Sequence, residues 1–195
     1  MYSFLRLIAV LLVKSWFSFS VIGKENIPDK AGVIVANHVS MLDPIVLGVA
    51  VSRPVHFMAK AELFKNRLLN WFFRKLHAFP VRRGGADRSA IRTALEVLYS
   101  GELLGIFPEG TRNKGEDLLP LHSGAALLAT RAQAPIVPVL IRGTQKFRFR
   151  QKIDVIIGQP IPPKEGKRAT KEELAEINKV ILEQFNHLNR QDFNA

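Results

Sequence analysis

Gly32-Val33-Ile34-Val35-Ala36-Asn37-His38-Val39-Ser40-Met41-Leu42-Asp43-Pro44 is the stretch that decides the fold. Its opening residues, Gly32 to Ala36, carry no polar side chain and read as a buried strand. A polar turn follows, and Asp43-Pro44 opens a helix with a capping residue and a proline at the first helical position. A strand that runs through a short turn into a helix is the repeating unit of α/β proteins. Ligands in such folds gather beyond the carboxyl ends of the strands, where His38 and Asp43 stand.

Working outward, further apolar or alternating runs of strand length occupy residues 55–59, Ala78–Val81, 103–107, 136–141 and 153–157. Helical patterns lie between most of them. Ile91, Ala94, Leu95 and Leu98 give one helix its apolar face, with Gly101 as the stop signal. Another helix is expected over 123–131. The last begins with the capping box Thr170-x-x-Glu173 and turns Leu174, Ile177, Ile181, Phe185 and Leu188 inward. The expected architecture is α/β: one domain with a central, mostly parallel or mixed sheet flanked by helices. Residues 159–169, rich in Pro and Lys, read as a connection to the final helix. Residues 62–76 read as one helix with more aromatic and apolar residues than a single core-facing stripe needs. With Lys65, Arg67, Arg74 and Lys75 beside them, either a lipid-interface helix or a well-buried helix satisfies that pattern.

The chain of 195 residues has 28 Lys+Arg against 17 Asp+Glu, a formal charge of +11, which points to an anionic partner. Cysteine is absent, so disulfides, thiolate catalysis and cysteine-ligated zinc are excluded. The first twenty residues, MYSFLRLIAVLLVKSWFSFS, are neither a good secretory signal nor a comfortable membrane span, because Arg6 and Lys14 interrupt the apolar run. Wound as a helix they gather Ser3, Arg6, Lys14 and Ser18 on one side. Phe4, Leu5, Leu7, Ile8, Leu11, Leu12 and Trp16 fill the rest, the pattern of a helix lying in a membrane interface. A terminal helix packed on the domain's own core meets the same pattern. Residues 1–22 are therefore expected to be a membrane-associating helix, and 23–195 the catalytic domain.

An imidazole and a carboxylate five residues apart across a strand-to-helix turn are equipment for deprotonating a hydroxyl group near neutral pH. In that reading Asp43 holds the tautomer of His38 and stabilises the imidazolium formed during proton abstraction. A plain helix cap at Asp43 beside an ordinary loop histidine fits the same letters. Ser40 has an adequate place in the turn, and a nucleophilic triad within so short a segment cannot easily reach the required geometry. The second motif is Phe107-Pro108-Glu109-Gly110-Thr111-Arg112, again after an apolar run. Arg112 offers a bidentate fork for phosphate oxygens, or a structural ion pair with Glu109. Lys60 with Glu62 follows one strand and Arg82-Arg83 another, so cations from three strand ends are candidates to converge on one anion.

With these residues in view the chain resembles the glycerolipid acyltransferases that acylate lysophosphatidate. Four recurring blocks occur in order: residues 37–43; Lys60-Ala61-Glu62-Leu63-Phe64 continuing to Phe79-Pro80-Val81-Arg82-Arg83; residues 107–112; and Ile136-Val137-Pro138-Val139. The resemblance implies transfer of a fatty acyl group from a thioester, on coenzyme A (acyl-CoA) or acyl carrier protein (acyl-ACP), to the free hydroxyl of 1-acyl-glycerol 3-phosphate. It assigns His38 as general base and Asp43 as its orienting partner. Lys60, Arg83 and Arg112 would hold the phosphate, Glu109 would order the site or meet the glycerol, and Gly110 and Thr111 would complete the acceptor site. No metal or bound cofactor is implied. Membrane lipids are the expected partners, and the expected location is peripheral or monotopic on the cytoplasmic face of a membrane. Two departures stand out: His77 where a glycine is usual, and His122 where lysine is common. One alternative is an enzyme of the same chemistry that acylates another lysolipid or a lipid-linked amine; the competing class is a non-catalytic module that binds anionic lipid or nucleic acid, and for nucleic acid no interleaved aromatic and basic surface is evident.

Overall fold

The computed structural model describes residues 1–82, 85, 87–113, 120–166 and 168–190. In chain order the elements are α1 (Tyr2–Trp16), β1 (Ser18–Ile22), β2 (Gly32–Ala36), α2 (Asp43–Ala50), β3 (Val55–Lys60), α3 (Arg67–Lys75) and β4 (Ala78–Val81). They continue with α4 (Arg88–Tyr99), β5 (Leu103–Ile106), α5 (Gly124–Ala132), β6 (Ile136–Arg142), β7 (Lys152–Ile157) and α6 (Lys171–Arg190). Seven strands form one sheet in the order β1-β7-β6-β2-β5-β3-β4. Every neighbouring pair is parallel except β6 and β7, so the expected α/β class holds as a mixed sheet.

β2 lies between β5 and β6 and is buried on both faces. Its alternation divides the core in two. Ile34 and Ala36 join Val13, Phe17, Val46 and Leu47 from α1 and α2 on one face. Val33 and Val35 join Ala94, Leu128, Ile181 and Phe185 from α4, α5 and α6 on the other. Asp87 caps α4 by accepting from Ser89 N and Ala90 N, and the Ser89 hydroxyl, with the amides of Arg82, Ala90 and Ser89, holds its carboxyl down to about 2. The expected capping box forms: Thr170 N–H donates to Glu173 Oε2 and Glu173 N–H to Thr170 Oγ1.

Three sequence expectations are corrected. The N-terminal helix ends at Trp16, and Ser18–Ile22 is an edge strand paired with β7. Residues 62–76 are not one helix. A short 3₁₀ turn, Ala61–Phe64, gives way to α3, whose N-terminal Leu68 and Leu69 amides are capped by the Asn66 side chain. Arg6 does not face away from the domain. Its guanidinium donates to the carbonyls of Gly48, Val49 and Val51, the last acceptors of α2, where a cation suits the negative end of the helix dipole. Ala9, Val10, Val13 and Phe17 pack inward beside it, while Phe4, Leu7, Ile8, Leu11, Leu12 and Trp16 are exposed.

At the amino ends of β3, β4 and β5 lies a cavity of about 380 Å³ lined by His56, Arg74, His77, Glu96 and Glu102. His77 has φ 59°, the left-handed region in which glycine is unstrained, which explains why glycine would suit this position. Its Nδ1 lies 3.1 Å from His56 Nε2, and its ring meets that of Tyr2 edge-on. One ring must donate and the other accept, so the accepting imidazole is neutral. Burial lowers both imidazoles, the neighbouring His77 lowers His56 further, and Glu102 opposes the shift. A histidine depressed in the folded state contributes stability above its unfolded value of 6.5 and loses it as pH falls below that. The melting temperature is therefore expected to drop between about pH 7 and about pH 5, and His77→Gly should flatten that drop while relieving the backbone strain. A melting curve with the same acid slope in both proteins would refute this account.

Candidate active site

Beyond β2 the main chain leaves the sheet, and the buried Asn37 side chain continues the pairing in its place. Its Nδ2 donates to Ile141 O at 3.0 Å, and Ile141 N–H donates to its Oδ1 at 2.7 Å. This locks the start of the turn to β6. Asp43, fully buried, lies at the turn's far end. Its Oδ2 accepts from Val39 N and Ser40 N, each at 2.7 Å, and faces His38 Nδ1 at 2.9 Å. Its Oδ1 accepts from the Thr144 hydroxyl at 2.6 Å.

Asp43 is thus not the simple helix cap of the alternative reading. Its carboxylate bonds the preceding turn, and α2 begins without a side-chain cap, helped by Pro44. A polar group removed from water is costly unless it is hydrogen-bonded, and here four partners bond the carboxylate. With Nδ1 facing that carboxylate, a neutral His38 carries its proton on Nδ1 and keeps Nε2 as the basic nitrogen. Ser40 serves the turn: its hydroxyl accepts from Leu42 N at 3.2 Å.

The register Val35↔Ile106 between β2 and β5 brings the second motif beside the first. Phe107 stacks on the His38 imidazole with centroids 4.4 Å apart, and Phe57 of β3 lies parallel to Phe107 at 6.1 Å. Gly105 makes room for that stack, since a Cβ there would come within 2.5 Å of the Phe57 ring. Glu109, buried, accepts the His38 N–H at 2.9 Å through Oε1, and Asn113 N–H donates to His38 O at 2.7 Å. Both main-chain groups of His38 are therefore clamped by the second turn. Gly110 sits at φ 66° against the His122 ring, which a Cβ would approach to 3.0 Å, and His122 N–H donates to Pro108 O.

The expected site residues separate into two groups. His38, Asp43 and Glu109 are in direct contact, with Gly110 in the same turn. Thr111 and Arg112 are exposed beyond that turn, and Glu109 faces His38 instead of forming an ion pair with Arg112. Lys60 ends β3 in register with Val81 of β4, exposed and 3.5 Å from Glu62. Arg83 lies outside the described residues. Lys60 and Arg112 therefore follow the carboxyl ends of the adjacent strands β3 and β5, and among the described residues no ion pair joins either to the His38–Asp43 pair. Thr144, Asn113 and Phe57 were not foreseen. Thr144 is 101 positions from Asp43, and only its place just past a strand end hints at a site role.

Comparison with known proteins follows the same geometry. The family model described as Acyltransferase matches residues 18–142, from β1 to the end of β6. The 1-acyl-sn-glycerol-3-phosphate acyltransferase of Bacillus subtilis (strain 168) is 38% identical over 174 residues, covering 86% of each chain. A lyso-ornithine lipid O-acyltransferase of Pseudomonas aeruginosa is 39% identical over 108 residues, covering 55% of this chain and 41% of that protein. The crystal structure of the 1-acyl-sn-glycerophosphate (LPA) acyltransferase PlsC from Thermotoga maritima matches with a TM-score of 0.76 at 28% identity, over 98% of this chain and 82% of that one. The shared sheet, the matched span and the identity over most of its length mean that this chain belongs to the acyltransferase family.

Proposed function

We propose that this chain is a 1-acyl-sn-glycerol-3-phosphate O-acyltransferase that makes phosphatidate from lysophosphatidate and an acyl thioester of coenzyme A or acyl carrier protein. The observation that carries the reading is the buried Asp43 carboxylate bonded to His38 Nδ1, which leaves Nε2 as the base. In the reaction Nε2 takes the proton of the acceptor hydroxyl as its oxygen attacks the thioester carbonyl. Asp43 stabilises the imidazolium, the tetrahedral intermediate expels the thiolate, and the proton held by His38 passes to the leaving sulfur. The acyl group moves directly from thioester to acceptor, with no enzyme-bound acyl intermediate. Lys60, Arg83 and Arg112 hold the acceptor phosphate, and Gly110 and Thr111 complete the wall of the site beside Glu109.

A lipid acceptor requires access to a membrane. No helix among the described residues is long and apolar enough to cross one. Helix α1, Tyr2–Trp16, associates with the surface through its exposed outer side, and the remainder of the chain carries the catalysis. The protein acts from the cytoplasmic face, in keeping with a chain that has no cysteine. A second acceptor class is favoured by one finding: the similar Pseudomonas aeruginosa protein is named for a lyso-ornithine lipid. Comparing turnover of lysophosphatidate with that of lyso-ornithine lipid separates the two.

His38→Ala is expected to lower kcat by about a hundredfold to ten-thousandfold with the circular dichroism spectrum unchanged. Thr144→Val should cost roughly tenfold in kcat with KM for both substrates nearly unchanged, and Thr144→Ser should restore it, because Thr144 reaches Asp43 through its hydroxyl. Full activity in either His38→Ala or Thr144→Val would contradict the assigned roles. Arg112→Ala should raise KM for lysophosphatidate and lower kcat/KM by about tenfold or more, the worth of a charge-assisted bond to phosphate. Arg112→Lys should recover part of it, and the donor KM should not move. An unchanged preference for lysophosphatidate over monoacylglycerol in Arg112→Ala would remove Arg112 from the phosphate site.

A further inference from the structure

The connection between β6 and β7 runs Gly143-Thr144-Gln145-Lys146-Phe147-Arg148-Phe149-Arg150-Gln151. Its centre interleaves basic and aromatic residues, contrary to the sequence expectation that no such surface exists. Residues Gln145 to Arg150 are all exposed, Phe147 at 67% and Phe149 at 64%. Apolar rings this open to water are uncommon unless a partner covers them.

The segment is built, not loose. Trp16 at the end of α1 stacks on Phe147 with centroids 5.5 Å apart and meets Phe149 edge-on at the same distance. Arg150, at φ 61°, donates its N–H to Trp16 O at 2.8 Å, and its guanidinium lies over the Phe149 ring. The exposed stripe Phe4, Leu7, Ile8, Leu11 and Leu12 thus runs without a break into Trp16, Phe147 and Phe149. Lys14, Lys146, Arg148 and Arg150 add only positive charge beside it.

We propose that the Lys146–Arg150 turn is a second lipid-docking element, which inserts Phe147 and Phe149 into the headgroup region of an anionic bilayer while Arg148 and Arg150 pair with lipid phosphates. An apolar stripe continued by aromatic rings and edged by cations fits a lipid surface better than a folded partner, which would not need α1's aliphatic length. The root of the turn explains what docking accomplishes. Thr144, three residues before Phe147, bonds Asp43, so the catalytic pair is fixed within about 10 Å of chain from the lipid contact. The acceptor hydroxyl then meets His38 without the lysolipid leaving the surface. This rests on the acyltransferase reading only for its purpose, not for the contact itself.

Co-sedimentation of the full chain with phosphatidylcholine vesicles, with and without phosphatidylglycerol, tests the contact. Phe147→Ser/Phe149→Ser should weaken binding about tenfold or more on both vesicle types. Phe149→Ser, whose ring touches only Trp16 and Arg150 among the ring contacts, should show part of that loss without disturbing buried Phe17. Arg148→Gln/Arg150→Gln should weaken binding about thirtyfold on anionic vesicles and not on neutral ones. Turnover of a short-chain lysophosphatidate dissolved as monomers should be unchanged in all three. The chain has two tryptophans, so Trp71→Phe leaves Trp16 alone to report, and bromine-labelled lipids should quench it. Unquenched Trp16, or unchanged binding in Phe149→Ser and the arginine pair, overturns the proposal. So does an arginine pair that binds vesicles normally but shows a raised KM for acyl-ACP and not for acyl-CoA, which would assign the turn to an acidic carrier protein. Vesicle binding that depends on the turn in a protein unable to acylate monomeric lysophosphatidate would refute the acyltransferase reading and leave this surface standing.

Discussion

A carboxylate with no access to water governs this structure. Asp43 is wholly buried, and an isolated buried charge would cost several kcal/mol or take up a proton. Donors offset the loss of water from three directions: the turn amides of Val39 and Ser40, the imidazole of His38, and the hydroxyl of Thr144. Those donors stay in place only if the turn after β2 is rigid and β6 lies beside it, which the Asn37 amide ensures by pairing with both main-chain groups of Ile141. The sheet order, with β2 between β5 and β6, is what this carboxylate requires.

The other flank of β2 completes the arrangement. Glu109 and Asn113 hold the main chain of His38 while Phe107 fixes the ring by stacking. Two glycines permit this closeness, Gly105 under the Phe57 ring and Gly110 against His122. Position and tautomer of the imidazole are thus set from different strand ends, and the ring is held before any ligand arrives.

Much of this was legible in the letters. Gly32 to Ala36 announced a buried strand because its apolar run admits no solvent face, and the break at Asn37 announced where the site begins. The pairing of His38 with Asp43 was readable because both partners lie in one turn. What was not readable depended on distance or on orientation. β1 finds its partner 134 positions away, and its short run Ser18-Phe19-Ser20-Val21-Ile22 continued a helical pattern from the stretch before it. Thr144 is an ordinary threonine until the fold sets it against Asp43. Arg6 looked like part of a solvated stripe because periodicity locates a residue around a helix but does not say which side meets the domain. Asn66 was a cap in plain view, hidden among the apolar residues of what reads as one continuous helix.

Arg6 also changes what the N-terminal helix is. A surface anchor is ordinarily separable, joined to its domain by a tether and dispensable to its folding. Here three carbonyls at the end of α2 are bonded by a side chain of α1, and α2 begins with Asp43. Trimming the chain ahead of Ser18 to obtain a more soluble protein would bare those carbonyls and uncover Val46 and Leu47, on the helix whose first residue bonds His38. The N-terminal helix and the helix that holds the carboxylate are one mechanical body, and solubility cannot be gained by separating them.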